Sequence, residues 1–391
     1  MHSTSFPSWP SFSLEEGEAV KRVLLSNKVN YWTGEETRLF EQEFALYSQC
    51  QYAIALANGT VALDLALKIL GIKVGDEVIV TPRTFIASVS SVVSLGAKPV
   101  FADVDRDSQN ISAETIAAVI TPATKAIVVV HLAGMPADMD PIMELAESHG
   151  IKVIEDCAQA HGATYKGRSV GSIGHVAAWS FCQDKIMTTG GEGGMVTTND
   201  KALWSAMWSY KDHGKSWDAV YNKEHAPGFR WLHETFGTNW RMTELQGVLG
   251  RIQTAGMPEW TKARTANAEA IWNTCKTKRW LRVPEVSYEI EHAAYKAYVF
   301  LELDKLSSDW SRAKILETIS SLDVPIFTGS CSEVYLEKAF EGTGFAPAKR
   351  LPVARELGET SLMFLVHPSL GPEHIQRTCD AIEHVDTLLH S

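Results

Sequence analysis

What most constrains this chain lies between Tyr52 and Thr198, where short, unbroken apolar runs alternate with amphipathic stretches. The runs are Glu77-Val-Ile-Val-Thr81, Pro99-Val-Phe-Ala102, Ala126-Ile-Val-Val-Val130 and Lys152-Val-Ile-Glu155, with another from Val176 to Phe181. They are rich in Val and Ile and do not alternate polar with apolar, the pattern of strands covered on both faces. Between them, residues 60–70, 84–95 and 138–149 read as helices. Strand, helix, strand at this rhythm predicts an α/β fold, a mostly parallel sheet with right-handed crossovers.

The flanks fill in the organisation. Ser13-Leu-Glu-Glu16 and Thr33-Gly-Glu-Glu36 both read Ser/Thr-x-x-Glu, which predicts a capping box opening a helix at each. Residues 211–240 lack clear periodicity and contain Trp217, Trp231 and Trp240 among glycines and histidines. That is the profile of a long, partly ordered loop, and such loops are often functional. A helix is expected from near Met242 toward Trp280, with Pro258 as the place where it would break. A strand at 297–303 and a terminal helix from Pro372 complete the expected small part. The expected division is an N-terminal arm and helix over 1–30 packing with the small domain, a large domain over 31–255, and a smaller α/β domain over 256–391.

Composition narrows the function classes. A chain of 391 residues with 45% hydrophobic and 21% charged residues can bury a sizeable core. Its formal charge of -11 argues against a nucleic-acid partner, whose phosphates need a basic surface. A local pocket on an acidic protein can still be positive. The six cysteines form no CxxC unit, and no Cys/His cluster has zinc spacing, so neither a disulfide framework nor a metal site is expected. Met1 to Ser13 lacks a signal-peptide pattern and no apolar run approaches ~20 residues, so a cytoplasmic protein outside the membrane is expected.

Four features carry chemistry. Asp156 ends the strand Val153-Ile-Glu-Asp156, which puts its carboxylate at the carboxyl edge of the sheet, where open parallel sheets bind ligands; a helix N-cap is the other reading. Lys185 follows 29 residues on, between a strand and the glycine cluster Gly190-Gly-Glu-Gly-Gly194. Alone it reads as a surface charge; between a buried strand and a turn that lets backbone approach a ligand, it can be an inward-facing nucleophile. Ala57-Asn-Gly-Thr60 opens a helix, as a phosphate cradle or an ordinary cap, and Ser180 could add a hydroxyl. Phe85 could lie flat on an aromatic ring or sit in the core. Together they meet the needs of pyridoxal 5'-phosphate (PLP): a lysine for the Schiff base, an acid facing the pyridine nitrogen, a phosphate cup and an aromatic plane.

The motifs extend beyond these residues. His131-Leu-Ala-Gly-Met-Pro-Ala-Asp-Met-Asp140, Glu155-Asp-Cys-Ala-Gln-Ala-His-Gly162, Trp179-Ser-Phe181 with Lys185, Gly191-Glu-Gly-Gly194 and Thr238-Asn-Trp-Arg-Met-Thr-Glu-Leu-Gln246 occur in that order. With Asn58-Gly-Thr60 and Pro82-Arg-Thr-Phe85, the chain resembles the PLP-dependent nucleotide-sugar aminotransferases of fold type I, the DegT/DnrJ/EryC1/StrS family. The resemblance implies a seven-stranded, mostly parallel central sheet with helices on both faces and a smaller α/β C-terminal domain. It implies Lys185 as the Schiff-base lysine, Asp156 as the partner of the ring nitrogen and Gln159 beside the ring hydroxyl. Phe85 would stack on the ring, and Gly59, Thr60 and Ser180 would bind the phosphate. Asn239 would reach the phosphate of a neighbouring subunit, hence a homodimer with shared sites.

The implied reaction moves an amino group from L-glutamate to a nucleotide-linked 4-keto-6-deoxyhexose (dTDP-, UDP- or GDP-linked), with 3-keto-sugars as the second choice. Surface-polysaccharide or antibiotic sugars would be the products' use. A sugar dehydratase of the same fold would carry histidine in place of Lys185, and a non-catalytic relative would have no need of Lys185, Asp156 and Gln159 together. Asn58 stands where many members have serine, and Ile186-Met187 where many have Asn-Leu; neither removes a required group, but the sugar cannot be read from them.

Overall fold

The computed structural model describes residues 5–390. Seven strands form its main sheet, in the spatial order Tyr52–Leu56, Gly194–Thr198, Val176–Ser180, Lys152–Asp156, Thr124–Val130, Glu77–Val80, Lys98–Phe101. Gly194–Thr198 runs antiparallel to both neighbours, and the other adjacent strands pair in parallel. This is the mostly parallel seven-stranded α/β sheet expected from the sequence.

The unbroken apolar runs have the cause proposed for them. Val78, Val80, Ala126 and Val128 pack into one core with the helices Gly59–Ile69, Ala87–Ser94 and Lys201–Lys211. Their neighbours Ile79, Ile127 and Val129 face the opposite way, into a core with Met139, Ile142 and Ala146 of the helix Met139–Ser148. Successive side chains in a strand point to opposite faces, so covering both faces demands apolar residues at consecutive positions. Each fully buried aliphatic side chain contributes about 1.5–3 kcal/mol.

The helix Glu244–Lys276 ties the parts together. It packs against Leu14–Leu25 and Glu36–Tyr47 toward its start and against Pro372–Leu389 further on. It passes Pro258 without a break, and the boundary expected at 255/256 lies inside it. A missing backbone donor is outweighed here by packing on both sides, with Met257 and Arg264 buried. A second sheet, antiparallel throughout, has the order Leu281–Arg282, Ala297–Leu301, Ser361–Phe364, Ile326–Phe327 and shares a separate core with the terminal helix. Among the described residues, no helix is long and apolar enough to cross a membrane.

Two local expectations are corrected. Ser13 and Glu16 do form a capping box, but Thr33 and Glu36 do not, because the helix begins at Glu36 itself. Its first amides, of Glu36 and Thr37, are instead bound by the buried carboxylate of Glu244, at 2.6 and 3.3 Å. The 211–240 stretch is also less irregular than expected. It contains the short helix Trp217–Tyr221, with Trp217 packed 5.1 Å from Trp204 and 4.9 Å from Trp208, and bridges pairing Asp212 with Asn239 and Lys215 with His233.

Candidate active site

The carboxyl ends of Lys152–Asp156 and Val176–Ser180 open onto a cavity of about 590 Å³, within the range of small-molecule sites. Seven of the eight residues singled out in the sequence line it: Gly59, Thr60, Phe85, Asp156, Gln159, Ser180 and Lys185. Asn239 does not. It is exposed, although its neighbour Trp240 accepts a 2.9 Å hydrogen bond from the amide of Ala57, just ahead of Gly59.

At one end of the cavity is the start of Gly59–Ile69. Asn58 caps it by accepting from Val61 N at 3.0 Å, and the first-turn amides of Gly59 and Thr60 have no acceptor within the helix. Glycine is required at 59 by close approach: a Cβ there would lie 2.6 Å from the Cβ of Ser180 and 3.0 Å from its hydroxyl. The result is a cradle of amides and hydroxyls at the positive end of a helix dipole, suited to a phosphate.

At the floor, Asp156 is 6% exposed. It accepts from Ser88 Oγ at 2.8 Å and from the Ala158 amide at 3.1 Å. Burial raises its pKa, while Ser88, the Ala158 amide, Lys185 and His131 oppose that rise. Gln159 is held by the amide of Ala133, which donates to its Oε1 at 2.8 Å. Phe85, at 67% exposure, stands over the opening rather than in the core. Lys185 is half-buried, and its own carbonyl accepts a 2.7 Å hydrogen bond from Trp9 Nε1.

The strand end is braced from behind. Glu155, fully buried, accepts from His131 Nε2 at 3.0 Å and from the amides of Gly171, Ile173 and Gly174. Burial pushes its pKa up, but these hydrogen bonds hold it below the usual value. His131 Nδ1 accepts from the Ala137 amide, which leaves the proton on Nε2 facing Glu155. His131, Glu155 and Cys157 come within 4.8 Å of one another, but the first two have their ligand atoms engaged, and burial raises the Cys157 thiol well above its ordinary value. This knot fixes strand geometry next to Asp156. His161 is buried among aromatic rings, and burial, aided by Lys185 and Arg264, lowers its pKa to about 3, so it is neutral near pH 7.

Three residues here were not anticipated. Ser88 bonds Asp156 from a helix 68 residues earlier. Tyr295 donates a 2.7 Å hydrogen bond to Asp184, beside Lys185. Lys296 lines an adjoining cavity of about 530 Å³ that shares Thr84, Phe85, Gln159, Asp184 and Lys185 with the first. Asp184 could have been flagged by its place next to Lys185; nothing local marked Ser88, Tyr295 or Lys296.

A cofactor with a phosphate, a ring and a group that reacts with amines fits this cavity, which the amide cradle, the Asp156 carboxylate and Lys185 all line. The arrangement is that of a PLP enzyme working at the carboxyl edge of a parallel sheet. Comparison with known proteins makes the assignment specific. The profile of the DegT/DnrJ/EryC1/StrS aminotransferase family matches residues 10–383, and the chain belongs to that family. GDP-perosamine synthase of Escherichia coli O157:H7 is 35% identical over 95% of this chain and 96% of its own length. The dTDP-3-amino-3,4,6-trideoxy-alpha-D-glucose transaminase of Streptomyces venezuelae is 34% identical over 94% and 91%. The X-ray structure of the aminotransferase from Psychrobacter cryohalolentis superposes with a TM-score of 0.97 at 63% identity, covering 99% of this chain and 100% of that one. The chain is a PLP-dependent sugar aminotransferase.

Proposed function

We propose that this protein transfers the amino group of L-glutamate to a nucleotide-linked 4-keto-6-deoxyhexose, with the cofactor carried on Lys185. The observation that supports it most is that Lys185, Asp156 and the amides of Gly59 and Thr60 line one cavity. Bound PLP supplies an aldehyde that condenses with amines and a ring that accepts the electrons released when a neighbouring proton leaves.

The protein's residues supply the rest. The amine of Lys185 would hold the cofactor and, when not so engaged, would serve as the general base and acid for the proton on the donor carbon. The carboxylate of Asp156 would keep the ring nitrogen protonated, because an opposite charge nearby favours the charged form. Gln159 would meet the ring hydroxyl, and Phe85 would stack on the ring. Gly59, Thr60 and Ser180 would hold the phosphate. Asn239, exposed in the single chain, would complete the phosphate cradle of a second copy in a homodimer.

The substrate class follows from the relatives, whose names include GDP- and dTDP-linked sugars, and from the second cavity beside Lys185, which has room for a sugar. A 3-keto-sugar is the second reading, favoured by the 3-amino product in the name of the Streptomyces relative. A panel of dTDP-, UDP- and GDP-linked 4-keto-6-deoxyhexoses and 3-keto-sugars, incubated with holoenzyme and glutamate, tests it. The expected result is an amino sugar from one 4-keto substrate with matching 2-oxoglutarate. Amination of a 3-keto-sugar alone, or of none, would overturn it.

A further inference from the structure

Lys296 lines the second cavity, and the function above leaves it unexplained. It begins the segment leading into the strand Ala297–Leu301, and its ammonium lies 4.9 Å from the ring of Tyr295. The ammonium of Lys185 lies 5.5 Å from that same ring, so two amines approach one aromatic side chain. Tyr295 is held by its hydrogen bond to Asp184. Among the described residues, no carboxylate comes within ion-pair distance of Lys296, and its amine makes no hydrogen bond.

A half-buried ammonium without a partner is costly, and lysines are rarely buried unpaired. Burial, then Arg264 and Lys185, lowers the Lys296 pKa to about 8, against the opposing pull of Asp184. Two other cations lie nearby, but Arg83 and Arg264 are 0% and 1% exposed and closed off from the cavity. Lys296 is therefore the cation that an anion entering beside Lys185 would meet.

The two substrates hold their anions at different reach from the reacting atom. An amino acid whose nitrogen takes the place of the Lys185 amine holds its α-carboxylate one carbon away, and glutamate holds its second carboxylate three carbons beyond the α-carbon. A nucleotide-linked hexose puts its sugar ring between the reacting carbonyl and the nearest phosphate. We infer that Lys296, which lines the cavity with Lys185 and Tyr295, is the residue that binds a carboxylate of the amino-acid donor. The inference rests on the aminotransferase reaction proposed above.

The two half-reactions separate it from that reading. Holoenzyme is mixed with L-glutamate alone, following loss of the visible cofactor band; the aminated enzyme is then mixed with the nucleotide-linked keto-sugar, following its return. In Lys296→Met, which keeps the side-chain length without the charge, we expect the glutamate arm to lose at least about tenfold in kcat/KM through a raised KM. The keto-sugar arm should change less than about twofold. Lys296→Arg, which restores the charge, should recover much of the glutamate arm. An unchanged glutamate arm in Lys296→Met would overturn the inference, as would a loss confined to the keto-sugar arm, which would assign the cation to phosphate. If Lys296→Met fails to hold cofactor, Lys296→Arg decides: a glutamate arm weakened about tenfold despite retained charge and cofactor would overturn it. Wild-type protein that runs neither arm would defeat the proposed function instead.

Discussion

Ser88 Oγ donates a 2.8 Å hydrogen bond to Asp156 Oδ2, joining the helix Ala87–Ser94 to the end of the strand Lys152–Asp156. Among the influences opposing the burial-driven rise of the Asp156 pKa, this bond is the largest. Ser88→Ala removes it, so the carboxyl should titrate at higher pH. Because the reaction needs the ionised carboxylate, the acid limb of the kcat/KM profile should move to higher pH, with the alkaline limb unmoved. An acid limb that stays in place would show that another group governs it.

Asp156 also trades stability for function. Its folded pKa is raised, so its contribution to stability is full below the unfolded value and is lost as pH rises through the folded value. At pH 7 the ionised side chain therefore burdens the cofactor-free protein. Asp156→Asn should lower activity by at least about a hundredfold, the scale for one charged partner removed from a buried site. Thermal melting of the cofactor-free variant at pH 7 should give a Tm no lower than wild type. A clear fall in Tm would mean that Asp156 is chiefly a structural residue.

Glu244 caps the helix Glu36–Tyr47 from a position more than two hundred residues away. Glu244→Ala would leave the amides of Glu36 and Thr37 buried without an acceptor, at a cost of about 2–3 kcal/mol. Urea denaturation should show that loss, and Glu244→Gln, which keeps one accepting oxygen, should recover part of it. A loss below about 0.5 kcal/mol in Glu244→Ala would show that water satisfies these amides.

Shared sites make a further prediction about mixed dimers. If Asn239 serves the neighbour's site, a chain carrying Lys185→Ala and a chain carrying Asn239→Asp complement each other in one of their two sites. Random mixing should then restore about a quarter of the wild-type sites, since half of the dimers are mixed and each has one intact site. Activity no higher than the average of the two variants alone would place Asn239 outside the neighbour's site.

Much of this architecture could be read from the chain because its decisive signals are local. Val78, Ile79 and Val80 announce a strand buried on both faces, since each face has its own core to enter. Asp156 is legible because a carboxylate ending such a strand has one edge to face. Rules confined to a few residues also misled: Thr33 and Glu36 satisfy a capping pattern, but the helix starts only at the pattern's fourth residue. Glu244, Ser88, Tyr295 and Lys296 could not be found this way, because what defines each is a partner or neighbour remote in sequence. Trp217 lies between the two cases. The stretch around it has no periodicity, but aromatic contacts with Trp204 and Trp208 are enough to seat one helical turn.

The most direct test of the account is to reduce the PLP-loaded protein with borohydride and map the modified peptide by mass spectrometry. Reduction makes the link between cofactor and protein permanent, so the labelled residue is the one that carried it. The account predicts bleaching of the visible band and a pyridoxyl label on Lys185 alone. A label on Lys296, the other amine beside Tyr295, or a band that bleaches without labelling the chain, would contradict it.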